Sequence, residues 1–491
     1  MQKHPGGVQK FFMKVLFAVW ELPPFFKVGG LGDVARALPA DLIRMGVDIA
    51  LVIPLYKAVR FDNVKKEKAG SFSIKYDGQE ETIEVIKVSH PLNNFPVFFL
   101  KNKKYLDVVE HMNTWPFFNK AIIEGVKKNI FPFYPDIIHC NDVHTSLIPL
   151  IVKEEKLKIK TMVTIHNLAH QGRVNKDILE KMGINENKGN FLAWEHASKQ
   201  LNMLMEAIIY ADVVTTVSPT YAREIMTEEY GSGLDEVLRG KEGRVFGILN
   251  GINISRYMHH GKRRICEFVK KRVDNPDKIA TDLSFYLEKK RENKKKLQKK
   301  LGFEIRDDIP LSCFVGRFDP YQKGLEILHR MIRKLDLENH QFVILGSGNV
   351  EWEERFAWFN SFYPKNISCN FTFNEELAHE IYESSDFILI PSKFEPCGLI
   401  QMLAMFFGTI PIAHRTGGLI DSIKNNHNGF LFDSYSSETL LHTYNKAVNL
   451  LLNDRKTYDV MVMAALTADF SWKKSAMEYI ALYEKLYSGE Y

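Results

Sequence analysis

The sequence predicts an α/β protein made of two Rossmann-like, doubly wound domains in tandem. Three observations carry that expectation. Apolar, β-branched runs alternate with segments of helical periodicity in two separate series, the pattern of parallel sheets. Many of these runs end in glycine turns or polar residues, which marks the carboxyl edge where open α/β sheets place function. A chain of 491 residues also exceeds what one core organises at roughly 150 residues per domain.

In chain order, KVLFAVW from Lys14 reads as a strand, KVGGLGDV at 27–34 as a glycine-rich turn, and VARALPADLIRMG as a helix closed by Gly46. DIALVIPLY then gives a second buried strand. Three further runs follow: DIIHCND (136–142), TMVTIHN (161–167) and ADVVTTVS (211–218). The second series comprises LSCFVGRF (311–318), HQFVILGSG (340–348), ISCNFTF (367–373), DFILIPS (386–392), GTIPIAH (408–414) and GFLFD (429–433). This divides the chain into a first domain over 13–252, a second over 253–470, and an amphipathic helix over 471–491 expected to pack back on the first. Residues 1–12 read as an extension, with Met1 or Met13 as the start.

Composition narrows the class. Hydrophobic residues make up 45% and charged residues 25%, as in ordinary globular proteins, which excludes disorder as the main state. The formal charge is +5, but Lys262 to Lys300 alone holds 15 Lys/Arg against 6 Asp/Glu, a local +9. The rest of the chain is therefore net acidic, and the basicity is no general footprint for nucleic acid. In and around KRENKKKLQKK, helical spacing of Leu287, Leu297 and Leu301 predicts a solvated surface helix with one buried stripe. Five scattered cysteines without a C-x-x-C pair suggest neither disulfides nor zinc, and hence a cytoplasmic compartment. No run of 18 apolar residues or secretory signal points to a membrane.

Several strand ends carry residues suited to anion and sugar chemistry. The GGLG turn at 29–32 opens a helix, so its amides and the helix dipole can hold a diphosphate, with Lys27 beside it as a point charge. It is not G-x-G-x-x-G, which speaks against a dinucleotide dehydrogenase. Arg317 and Lys323, six residues apart in GRFDPYQKG, can converge on one pyrophosphate. Glu395 in KFEPCGL follows a strand and can accept from substrate hydroxyls; capping the next helix is the alternative. TGGL at 416–419 is a second glycine cradle, and His166 with Asn167 ends the strand TMVTIH. No D-x-D occurs, which favours cationic side chains over a metal at a leaving diphosphate. Cys397 reads as a packing residue.

Taken in order, KVGGLGDV, TIHNLAHQG, TTVSPTYAREI, GILNGIN, GRFDPYQKGLEIL, FEPCGLIQM and RTGGL resemble the bacterial glycogen synthase and plant starch synthase family, from about Lys14 to Tyr487. The resemblance implies a GT-B fold with two domains facing across a cleft, and metal-independent transfer of glucose from ADP-glucose to the non-reducing end of an α-1,4-glucan with retention. It implies no cofactor, no nucleic acid and no membrane partner. It makes Arg317 and Lys323 the clamp on the departing diphosphate, approached from the other domain by Lys27, Gly29 and Gly30. Glu395 would bind sugar hydroxyls, Thr416, Gly417 and Gly418 would hold sugar and phosphate, and His166 would sit against the transferred glucose. Asp142, Glu21, Asp33 and Asn250 match cleft positions, Glu21 on the acceptor side, and Phe373 falls where a ring stacks on adenine. Val28, Gly316, Val143 and Ile400 depart from the family's usual residues, and the stretch 101–115 is short. The alternatives are another retaining transferase using UDP-glucose or a small acceptor and, from the basic segment, a nucleic-acid-binding protein.

Overall fold

The structure, a computed structural model, describes residues 13–109, 113–185, 200–253, 279–372 and 374–491, with the backbone alone at 279–283. It divides into two compact units, one running to Asn250 and rejoined by Trp472–Tyr491, the other Gly251–Ser471.

The first unit is built on β1 (Lys14–Ala18), β2 (Asp48–Pro54), β3 (Glu67–Tyr76), β4 (Gln79–Ser89), β5 (Pro96–Lys101) and β6 (Ile137–Asn141). It continues with β7 (Lys160–Ile165), a small antiparallel pair β8 (Arg173–Asn175) and β9 (Gln200–Asn202), then β10 (Val213–Thr216) and β11 (Val245–Gly247). The nine-stranded sheet has the order β11-β10-β7-β6-β1-β2-β5-β4-β3. Its central parallel strands β1, β2, β6 and β7 are buried along nearly their whole length, as strands covered on both faces must be.

The antiparallel pair β4-β3 at one edge was not anticipated. β4 pairs antiparallel with both neighbours, and β3 and β4 alternate buried Phe72, Ile74, Ile83 and Val85 with exposed Lys and Glu. A half-solvated strand carries no continuous apolar run, so a search for buried runs passes over it.

Helix Trp472–Ser488 packs on this unit. Trp472, Ala476, Tyr479, Tyr483 and Leu486 are buried in the same core as β1 and β2, and the Tyr483 hydroxyl lies 2.6 Å from His139 Nδ1. His139 is fully buried on β6, which holds its imidazole pKa down at about 3.

The second unit contains β12 (Leu311–Val315), β13 (Gln341–Leu345), β14 (Ile367–Asn370), β15 (Phe387–Ile390), β16 (Ile410–His414) and β17 (Phe430–Phe432). All pair in parallel in the order β14-β13-β12-β15-β16-β17.

The basic stretch corrects one expectation. Residues 262–278 lie outside the described residues, while Ile279–Lys300 is a helix with Tyr286, Leu287 and Leu297 buried. Lys290 and Lys294 are buried on it as well, not solvated. Lys294 Nζ lies 2.7 Å from Asp386 Oδ2 and from the Ile309 carbonyl. Lys290 donates to Thr409 Oγ1 at 2.8 Å and to the Phe407 carbonyl at 3.2 Å, and burial lowers its pKa to about 8. Lysines every four residues keep one face of a helix, and a buried carboxylate and helix-end carbonyls replace water around their charge. Lys294→Ala would leave Asp386 buried and unpaired, at a cost of about 3–5 kcal/mol. Thermal denaturation is expected to show a lower midpoint than wild type; an unchanged midpoint would mean that the pair is not structural.

Candidate active site

In the first unit the candidate residues lie past the carboxyl ends of β1, β6, β7 and β11, and β1 and β6 are the neighbours that form the switch point of the sheet. Glu21, just past β1, is buried, and the glycine-rich loop wraps its carboxylate. Oε2 accepts from the Val28 and Gly29 N–H groups at 2.5 and 2.8 Å, and Oε1 from Gly32 N–H at 2.9 Å. The loop amides expected to cradle phosphate thus hold a carboxylate of their own unit. The cause is the one that makes the loop an anion site, orphan amides at a helix N-terminus. Gly30 begins helix Gly30–Arg44 and is not among the donors to Glu21. Lys27, which is exposed, ion-pairs with Asp33 at 2.7 Å, and Arg36 stands 3.4 Å from the second Asp33 oxygen.

Asp142 follows β6 with φ +54°, a left-handed conformation uncommon for a residue with a Cβ. Its N–H donates to the Thr164 carbonyl at 2.9 Å, and its Oδ1 accepts from the His166 N–H at 2.7 Å. Burial, reinforced by the nearby Glu21 carboxylate, lifts the Asp142 pKa to about 7. His166 is driven by burial to a pKa of about 3 and is therefore neutral, with Nε2 3.0 Å from Asn141 Oδ1. Asn250 is buried in the same unit, and its Oδ1 has no hydrogen-bond partner among the described residues.

The Asp142 shift has a consequence for stability. A carboxyl whose pKa rises on folding from about 4 leaves the native state holding more protons than the unfolded chain between about pH 4 and 7. Its contribution therefore weakens as pH rises through that window and is constant above it. In Asp142→Asn this loss is absent, so the stability of the variant relative to wild type is expected to improve from pH 4 to 7. Urea midpoints across that range check it; parallel curves would contradict the raised pKa.

Sequence reasoning missed an aromatic cluster here. Trp20 stacks on His144 with ring centroids 4.1 Å apart, and Trp115 meets the same imidazole edge-on at 4.6 Å. The available signal was an indole immediately before Glu21, but an aromatic residue ending an apolar run reads as core.

In the second unit the corresponding switch point lies between β12 and β15. Arg317 follows β12, is exposed, and its guanidinium has no hydrogen-bond or ion-pair partner among the described residues. Lys323 Nζ donates to Glu395 Oε2 at 2.7 Å, and Ser392 Oγ donates to the same oxygen at 2.9 Å. Gly324 makes that approach possible: at φ +66° a Cβ there would lie 1.9 Å from the Pro391 carbonyl oxygen. Thr416, buried, is the N-cap residue of the short helix Gly417–Ser422. The Gly418 N–H donates to the Glu395 carbonyl at 3.0 Å, and a Cβ on Gly418 would lie 2.2 Å from the Cys397 carbonyl oxygen. Lys323, Glu395 and the TGGL turn are thus one connected cluster beyond β15 and β16. Phe373 lies outside the described residues. Among those residues no group of three or more His, Cys, Asp or Glu side chains is arranged to hold a metal, and no helix is long and apolar enough to cross a membrane.

Both units match known families. The family described as starch synthase catalytic domain matches residues 14–240, and glycosyl transferases group 1 matches 285–466. A glycogen synthase from Kosmotoga olearia is 38% identical over 486 residues, covering 96% of this chain and 98% of the relative. One from Streptococcus gordonii is 35% identical over 497 residues, covering 96% and 100%. The chain belongs to the glycogen synthase and starch synthase family. A solved relative, the catalytic domain of starch synthase IV from Arabidopsis thaliana bound to ADP and acarbose, superposes with a TM-score of 0.83 at 30% identity, covering 97% of this chain and 99% of that one. A glycogen synthase-type glucosyltransferase built from two Rossmann-like units, the GT-B class, accounts for the tandem sheets.

Proposed function

We propose that the protein transfers glucose from ADP-glucose to the non-reducing end of an α-1,4-glucan with retention of configuration, in the cytoplasm. The observation that carries the proposal is an exposed guanidinium, unpartnered among the described residues, at Arg317 past β12, together with the Lys323–Glu395 ion pair beyond the neighbouring strand β15. Cleavage of the anomeric C–O bond builds positive charge on the sugar ring and negative charge on the diphosphate, so fixed cations at the leaving group are the main catalytic demand. Arg317 and Lys323 meet it. Glu395, held by Lys323 and Ser392, keeps an acceptor oxygen for sugar hydroxyls, and the Gly417 and Gly418 turn faces the same sugar and phosphate. The neutral His166 lies against the transferred glucose without adding charge to a cation-like transition state. The ADP bound to the Arabidopsis starch synthase IV catalytic domain supports an adenine donor.

Nucleotide release from ADP-glucose and UDP-glucose, with glycogen or a small sugar as acceptor, tests this reading. ADP-glucose with glycogen is expected to be the preferred pair. Turnover of UDP-glucose alone, or of a small acceptor alone, would replace the reading by another retaining glucosyltransferase.

A further inference from the structure

Asn141 ends β6, is buried, and links two elements of the first unit through its side-chain amide. Its Nδ2 donates to the Ala18 carbonyl at the end of β1, at 3.1 Å, and stands 3.5 Å from the His139 carbonyl. Carbonyl oxygens only accept, so the amide nitrogen must face Ala18 and the amide oxygen must face the other way. That oxygen lies 3.0 Å from His166 Nε2. An amide oxygen only accepts as well. A neutral imidazole beside it therefore carries its proton on Nε2 and keeps a lone pair on Nδ1. Burial keeps His166 neutral, and Nδ1 has no protein partner among the described residues.

We propose that Asn141 is a positioning residue that fixes His166 as the Nε2–H tautomer, so that Nδ1 accepts a hydrogen bond from a hydroxyl of the transferred sugar. The proposal rests on the reading of His166 as a residue against that sugar. Its physical content is selectivity of direction. A ring free to exchange tautomers offers the sugar a donor part of the time, whereas a locked ring offers an acceptor only, which every sugar hydroxyl can satisfy by donating. The Ala18 carbonyl takes part because, without it, the Asn141 amide could turn and present its nitrogen to the ring.

Nitrogen-15 NMR of the histidine-labelled, full-length protein reads the tautomer directly, the His166 signal being the one absent from His166→Ala. Wild type is expected to show the proton on Nε2. Asn141→Leu, of similar shape but without an acceptor, is expected to show exchanging tautomers and a kcat about three- to tenfold lower, with a smaller change in donor KM. An Nδ1–H ring in wild type would overturn the proposal even if Asn141→Leu failed to fold. So would an unchanged ring in Asn141→Leu, or altered tautomers with unchanged kcat. Full turnover in His166→Ala is a different failure, removing the underlying reading of His166 while leaving the measured tautomer intact.

Discussion

Arg317→Ala is expected to lower kcat by about two orders of magnitude with no loss of stability. The guanidinium is exposed and unpartnered among the described residues, so its removal breaks no hydrogen bond or ion pair among them, and an effect on turnover at unchanged stability belongs to the reaction. Lys323→Ala is expected to cost as much or more, about 10²–10³ in kcat, because the proposed function sets Lys323 against the leaving group and its ammonium also holds Glu395 at 2.7 Å. Donor KM should change far less than kcat in both variants if the cations act on charge that develops in the transition state. Steady-state kinetics with ADP-glucose and glycogen decide this; unchanged turnover in either variant would remove that residue from the diphosphate clamp.

Glu395→Gln is expected to reduce kcat by about 10²-fold or more with the fold retained. Glutamine preserves the shape of a buried side chain that Ser392 and Lys323 both approach, so the loss would report the charge and not a cavity. Because Lys323 and Glu395 touch, the double variant Lys323→Ala/Glu395→Gln should lose much less than the product of the two single losses. Fully multiplicative losses would show that the two side chains act independently and not as one connected cluster.

How much of this was legible in the sequence depended on the physical signal each feature leaves. Continuous apolar runs such as DIALVIP and LSCFV are the mark of strands buried on both faces, and the structure has a strand at each. The TGGL turn at a strand end was equally plain, because the close approach of Gly418 to the Cys397 backbone excludes any side chain. The alternating, charged β3–β4 hairpin left no such run. Two further features were hidden because they depend on contacts distant in sequence. Lys290 and Lys294 look like solvated charge until Thr409 and Asp386, about a hundred residues later, are seen to surround them. The carboxylate of Glu21 fills the amides of the GGLG loop, whose local spacing alone advertises an empty anion site. Asp142 and His166 stood out at polar strand ends and through the family resemblance; the left-handed backbone and the Asn141–His166 hydrogen bond required the fold.

The bond that is made defines the reaction. It is read by supplying ADP-glucose that carries carbon-13 at the anomeric position, with a short maltooligosaccharide acceptor, and following the label by NMR. Release of ADP is expected, with the labelled anomeric carbon appearing in a new α-1,4 linkage at the non-reducing end. A β-configured product, a label linked elsewhere on the acceptor, or free labelled glucose as the only product would contradict the proposed transfer.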